Sequence, residues 1–231
     1  TTAQVNLLDI SSKPIETNVN MTFYNEKTSD VMYNYVHSLN IKGNPDTIPM
    51  NETKQYTIIA NTIPPKQIEH VKLNIGTHNV IPIDAPQGTL TIKRGVGIYN
   101  NNEKVKCLVR QAGNMKTLPV PDINSYEKFI VDDYDVEILT LPRTYLYKLN
   151  VLQSMTKTVE IEDAGQIKLT TPDVGDGCIL KEDKGQLTWV CNLQSNKTKQ
   201  DFNLQPGNYR VTFRSKSLKQ SIYTIEKSFT I

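Results

Sequence analysis

The segment Tyr56-Thr57-Ile58-Ile59-Ala60-Asn61-Thr62-Ile63-Pro64 alternates apolar and polar side chains over most of its length and stops at proline. That period of two is the mark of a strand with one buried face. The pattern returns at Tyr134-Asp135-Val136-Glu137-Ile138-Leu139-Thr140-Leu141-Pro142. A third, shorter copy is Tyr209-Arg210-Val211-Thr212-Phe213-Arg214-Ser215, which lacks the Thr-x-Pro exit. Three copies of one strand at nearly even spacing predict three copies of one domain. Tyr56, Tyr134 and Tyr209 are then equivalent positions on a central strand. The Pro exits of the first two copies read as inter-domain geometry, and their loss in the third fits a terminal unit with no following neighbour.

Working outward, the remaining segments support this period. Residues 4–10 form a first strand, and Val19, Met21 and Phe23 a second. Val31, Tyr33, Tyr35 and His37 alternate as a third. Pro64-Pro65 removes two ladder donors and ends the Tyr56 strand. Asp84-Ala85-Pro86-Gln87-Gly88 and Glu162-Asp163-Ala164-Gly165 are matching breaks. Gly88-Thr89-Leu90-Thr91-Ile92 and Gly165-Gln166-Ile167-Lys168-Leu169 are matching openings. Turn signals recur about every 8–12 residues and no ten-residue window carries a helical period. The expected fold is all-β: three tandem small antiparallel β-sandwich domains spanning 1–87, 88–164 and 165–231.

Composition sets outer limits. The 231 residues are 38% hydrophobic and 22% charged, with a net charge of +2. This is a globular profile without the basic stripe of a nucleic-acid binder. No apolar run approaches the ~20 residues of a membrane-spanning helix. The chain opens on Thr1 without a Met or leader, which predicts a processed fragment of a longer protein.

Candidate chemistry is sparse. Cys107, Cys178 and Cys191 form no C-x-x-C. A two-residue turn at Lys184-Gly185 would set Cys178 directly opposite Cys191, on one face with Leu180, Leu187 and Trp189. A cross-strand disulfide and two buried thiols are both compatible with that register, and the face reads as core. Asp132, Asp133, Asp135 and Glu137 read as a solvated strand face. Asp173 and Asp176 lie in a turn without calcium-loop spacing. His37, His70 and His78 read as surface or edge residues. No catalytic, cofactor or metal site is predicted. Arg210, Arg214, Lys216 and Lys219 form a basic patch opposite the core face. Tyr145 and Tyr147 share one face with Leu149. These two groups are the candidate interaction surfaces. Trp189, Tyr99, Tyr145, Tyr147 and Tyr223 are the aromatic side chains available to a sugar platform.

Several strings carry a family resemblance. They are Thr62-Ile63-Pro64-Pro65, the run from His78 to Gly88, Val136 to Arg143, and Leu204 to Phe213. From about residue 18 onward the chain resembles the β-rich region that follows the von Willebrand factor A (VWA) domain in secreted proteins of Bacteroidetes-type bacteria. The resemblance implies an extracytoplasmic protein whose metal-binding domain lies upstream. Asp9-Ile10-Ser11-Ser12-Lys13 lacks the second serine of that domain's metal motif, so no metal site is carried over. The Pro206-Gly207-Asn208-Tyr209 turn is also similar to prealbumin-like accessory domains. The implied function is a non-catalytic stalk or docking module with a protein or glycan partner at the cell envelope. The alternative is a carbohydrate- or ligand-binding sandwich.

Overall fold

The computed structural model describes residues 1–16, 18–94, 105–119 and 122–231. The turn expected at residues 100–102, and Tyr99, lie outside them.

The chain is all-β, built from small and mostly antiparallel sheets. Its buried apolar residues fall into three clusters. The first draws on seven strands: β1 (Thr2–Leu8), β2 (Val19–Asn25), β3 (Val31–His37), β4 (Thr47–Pro49), β5 (Gln55–Ala60), β6 (Lys66–Lys72) and β7 (His78–Asp84). They form two sheets, ordered β4-β1-β7 and β3-β2-β5-β6. Ala3, Val5 and Leu7 on one sheet meet Met21, Phe23, Tyr56 and Ile58 on the other. Strict alternation on β1 and β5 puts those side chains on one face.

The second cluster repeats the plan with β8 (Gln87–Arg94), β9 (Cys107–Gln111), β10 (Thr117–Leu118), β11 (Glu127–Ile130), β12 (Asp132–Ile138), β13 (Thr144–Val151) and β14 (Thr156–Ile161). Its sheets are β11-β8-β14 and β10-β9-β12-β13. The third has β15 (Gly165–Thr170), β16 (Gly175–Asp183), β17 (Gln186–Asn192), β18 (Lys199–Leu204), β19 (Asn208–Ser215) and β20 (Ile225–Thr230). Its sheets are β15-β18 and β17-β16-β19-β20.

One feature departs from the purely antiparallel expectation. β1 pairs parallel with β7, and β8 parallel with β14. The first and last strands of each seven-strand set thus lie side by side. Period-two alternation does not reveal strand direction, so this pairing was not legible in the pattern.

The tyrosine strands are β5, β12 and β19. Among the described residues Tyr56, Tyr134 and Tyr209 are the three largest fully buried side chains. Each hydroxyl donates to a main-chain carbonyl four or five residues upstream: Tyr56 to Asn51 (2.8 Å), Tyr134 to Ile130 (2.7 Å) and Tyr209 to Gln205 (2.6 Å). This is the tyrosine-corner arrangement of β-sandwiches, in which a large apolar ring fills the core and its one polar atom is satisfied locally. Burial pushes the Tyr56 and Tyr209 phenols up to about 12, and raises that of Tyr134 as well.

The strand exits also repeat. Ile63-Pro64 and Leu141-Pro142 are cis peptides. Thr62 Oγ1 donates to the Pro64 carbonyl at 2.7 Å, and Thr140 Oγ1 to that of Pro142 at 2.8 Å. A bulge follows in the next strand of each, with His70 and Lys148 at positive φ. In the third copy Ser215 takes the threonine's place and donates to Asp173 Oδ2 instead.

Candidate functional site

The best-defined sites in this molecule are its joints. The Ile130 amide donates to the Ile63 carbonyl at 2.7 Å, and the Gln205 amide to the Leu141 carbonyl at 2.7 Å. Ile63 and Leu141 each precede the cis-proline of one tyrosine strand. Ile130 and Gln205 are the residues whose carbonyls accept the next tyrosine's hydroxyl. A single residue therefore ties the exit of one cluster to the tyrosine corner of the next, twice over.

The first joint has further contacts. Ile130 is buried within the first cluster although its strand belongs to the second, and Ile63 packs against the second cluster. Glu16, buried in the loop after β1, accepts from Lys128 Nζ at 3.1 Å and Gln87 Nε2 at 3.4 Å. Gln153 Oε1 accepts from the Ile10 amide at 2.8 Å, and its Nε2 donates to Asp9 at 3.3 Å. Hydrogen bonds from Lys13 and Ser11 amides and from Gln153 hold the Asp9 carboxyl below its ordinary range. At the second joint Gln205 stands where Ile130 stood, so the backbone bond persists without the exchange of apolar side chains.

The cysteines obey a different register from the expected one. The Lys184-Gly185 turn forms with both residues at positive φ and sets Asp183 opposite Gln186. A bulge at Val190 then shifts the pairing, so Cys191 faces Ile179 and Cys178 faces Asn192. One inserted residue reverses the face of everything beyond it. Cys178 and Cys191 are free thiols, and Cys178 Sγ lies 3.3 Å from Thr212 Oγ1. Burial raises the Cys191 thiol and pushes that of Cys107 up to about 11. The core assignment of Trp189 is overturned too: it lies on the turn side of the bulge and keeps its register, but its face is the outer one shared with Arg210. Its partner is Leu180, it is 60% exposed, and its Nε1 donates to Asn192.

The basic patch is not a uniform cation surface. Arg210 donates to both Glu182 oxygens at 2.8 and 3.0 Å and to Glu226 at 2.8 Å. Those carboxylates raise the Arg210 guanidinium further. Arg214 stands opposite Asp176, and Lys216 reaches Ser195 Oγ at 3.5 Å. Lys219 is exposed beyond β19. Tyr145 and Tyr147 do form an exposed pair on β13, with rings nearly parallel (3°) and centroids 6.2 Å apart.

Two polar residues are more buried than alternation suggested. Glu137 is enclosed, accepting from Arg143 Nη1 at 2.6 Å and Arg110 Nη1 at 3.2 Å. Burial alone would raise its carboxyl, but hydrogen bonds and charge from the two arginines leave it below the ordinary value. His37 is buried against the first cluster, its Nε2 3.0 Å from the Val5 carbonyl, and burial lowers its pKa. His70 contacts Glu26, and His78 contacts Thr2 Oγ1. Asp133 and Asp135 are engaged by Asn150 and by the Lys148 amide. Asp173 accepts from the Val174 amide and Ser215.

Among the described residues no group of three or more His, Cys, Asp or Glu is placed to hold a metal ion. A hollow of about 460 Å³ beside the Lys184-Gly185 turn is lined by Glu182, Asn208, Tyr209 and the end of β20. Glu182 is its one carboxylate, already paired with Arg210. No helix among the described residues is long and apolar enough to cross a membrane.

The chain matches no protein-family model and no curated protein. Among solved structures it is similar to the Bacillus anthracis TIE protein (14% identity, TM-score 0.26), covering all of this chain and 48% of that one. A streptococcal ancillary pilin gives 12% identity and a TM-score of 0.32, covering all of this chain and 94% of the pilin. The pilus adhesin SpaC from Lactobacillus rhamnosus GG gives 11% and 0.24, with 37% of the adhesin covered. The chain thus spans about half the length of the Bacillus anthracis protein it resembles.

Proposed function

We propose that this chain is a non-catalytic structural and interaction module, a stalk or docking region of an exported, VWA-type protein at the cell envelope. Each apolar cluster is one β-sandwich domain, with the three spanning 1–87, 88–164 and 165–231. The observation that carries this reading is the repeated joint, Ile130 to Ile63 and Gln205 to Leu141. Its residues serve to set one domain against the next. The candidate carboxylates and histidines support it too, because their hydrogen bonds hold turns and strands. Residual dipolar couplings on the whole chain test it. One alignment tensor should fit residues of the first two domains together, whereas independent tensors would argue against a stalk.

A second reading has one observation in its favour. The stacked, exposed Tyr145 and Tyr147 offer two aromatic faces to a sugar ring. Glycan-array screening of the chain against Tyr145→Ala/Tyr147→Ala tests it. Binding lost in the variant would support this reading, and no binding to either protein would remove it.

A further inference from the structure

Among the described residues the third β-unit has six strands where the first two have seven. In the first, β1 lies between β4 and β7. In the second, β8 lies between β11 and β14. Their counterpart β15 has β18 on one side, and among the described residues its other edge carries no strand. That edge is the one filled elsewhere by a parallel partner.

Three further observations mark the edge as a vacant pairing position. First, the inward residues of the equivalent strands are sealed elsewhere: Ala3, Leu90 and Ile92 are 0% exposed and Val5 is 2%. Their counterparts Ile167 and Leu169 are only partly buried, although packed against the third cluster. Second, the amides of Thr2 and Thr89 donate across this edge, to the carbonyls of Thr77 and Met155. By register Gln166 is the matching residue. Third, the approach to the edge is already built. Val151 packs over Gly88, where an added Cβ would meet Val151 Cγ1 at 2.8 Å. Ile231 packs over Gly165 in the same way, at 2.6 Å.

The partner's identity follows from spacing. Val71, Leu149 and Phe229 pair with the three core tyrosines. Leu73, Val151 and Ile231, two residues on, are therefore equivalent. β7 begins five residues after Leu73, and β14 five residues after Val151. Both present alternate apolar residues inward: Ile81 and Ile83 on one, Val159 and Ile161 on the other. We propose that the open edge of β15 is the acceptor for a seventh strand, laid parallel to it by polypeptide continuous with Ile231 and apolar at alternate positions. A bare edge with half-covered apolar residues otherwise invites unwanted pairing. The added strand would seal Ile167 and Leu169 and complete the third sandwich. It extends the proposed function, but the open edge stands whether or not the chain is a stalk.

The test is to append a copy of Leu152–Ile161 after Ile231 and measure amide hydrogen exchange with the oligomeric state. Exchange at Gln166 and its outward-facing neighbours on β15 should slow by about tenfold or more, with the protein monomeric. A second graft carrying Asp at the positions copied from Val159 and Ile161 should give no such protection. Unchanged exchange in the first graft, equal protection in both grafts, or protection that appears only in a dimer would each overturn the proposal. A joint that proves flexible by dipolar couplings would instead count against the stalk reading and leave this result standing.

Discussion

The main-chain amide of Ile130 donates to the carbonyl of Ile63 at 2.7 Å, across the boundary between two hydrophobic clusters. The carbonyl of the same Ile130 accepts the Tyr134 hydroxyl. Core filling and inter-unit geometry are thus coupled through one residue. Removing the hydroxyl should be felt at both. Tyr134→Phe leaves a buried carbonyl short of a partner, at a cost of about 1–3 kcal/mol. Chemical denaturation should show that loss. Tyr209→Phe should cost a similar amount, because its hydroxyl is placed in the same way on Gln205.

Alkaline titration gives a second check. The Tyr56 and Tyr209 phenols, raised mainly by burial to about 12, keep their protons in the folded chain after an unfolded chain has begun to lose them near 10. The unfolded state then binds fewer protons, so stability is full below pH 10 and declines as pH rises toward 12. Absorbance at the phenolate band should rise in two stages. The second should coincide with loss of tertiary structure. A single transition near 10 with the fold retained would contradict the burial of these rings.

Glu137 makes the opposite prediction in acid. Its folded carboxyl lies below the ordinary 4.5, so its contribution is present above that value and is lost as pH falls through the folded pKa. Glu137→Gln should cost about 1–2 kcal/mol at neutral pH, since both arginine bonds are charge-assisted but Arg143 is half exposed. The variant's stability should also depend less on pH below 4.5 than that of the parent chain.

Thiol counting tests the bulge at Val190. With Cys178 and Cys191 set against different partners, three thiols should react in denaturant without reductant. One reactive thiol would mean that the pair is bonded and the register is the unbulged one.

Close approach at Gly88 tests the packing inside the second cluster. A Cβ there would lie 2.1 Å from the Leu152 carbonyl oxygen, which is main chain and cannot swing aside. Gly88→Ala should destabilise by about 1–3 kcal/mol, read as an earlier denaturation midpoint.

Much of this architecture is legible in particular residues. The three tyrosines announce themselves because each starts an alternating run, and all three fill a core. The Lys184-Gly185 turn is equally plain. The errors share one physical origin: alternation reports which face a residue occupies only while the ladder is regular. One extra residue at Val190 puts Trp189 and Cys191, two apart in sequence, on opposite faces, and nothing in its composition signals a bulge. Glu137 sits on an alternating strand as though solvated, yet Arg110 from β9 and Arg143 from beyond the proline exit close over it. Arg210 looked free because its carboxylate partners, Glu182 and Glu226, come from neighbouring strands. The joints were legible only as proline exits. That Ile130 and Gln205 receive them depends on pairing between units, which no local pattern encodes.

The central claim is that consecutive units are tied through Ile130 and Gln205, and amide hydrogen exchange on the intact chain tests it most directly. Both amides should exchange as slowly as the strand amides around Tyr134 and Tyr209. Exchange as fast as that of the exposed Lys184-Gly185 turn would show the joints to be open and would contradict the account.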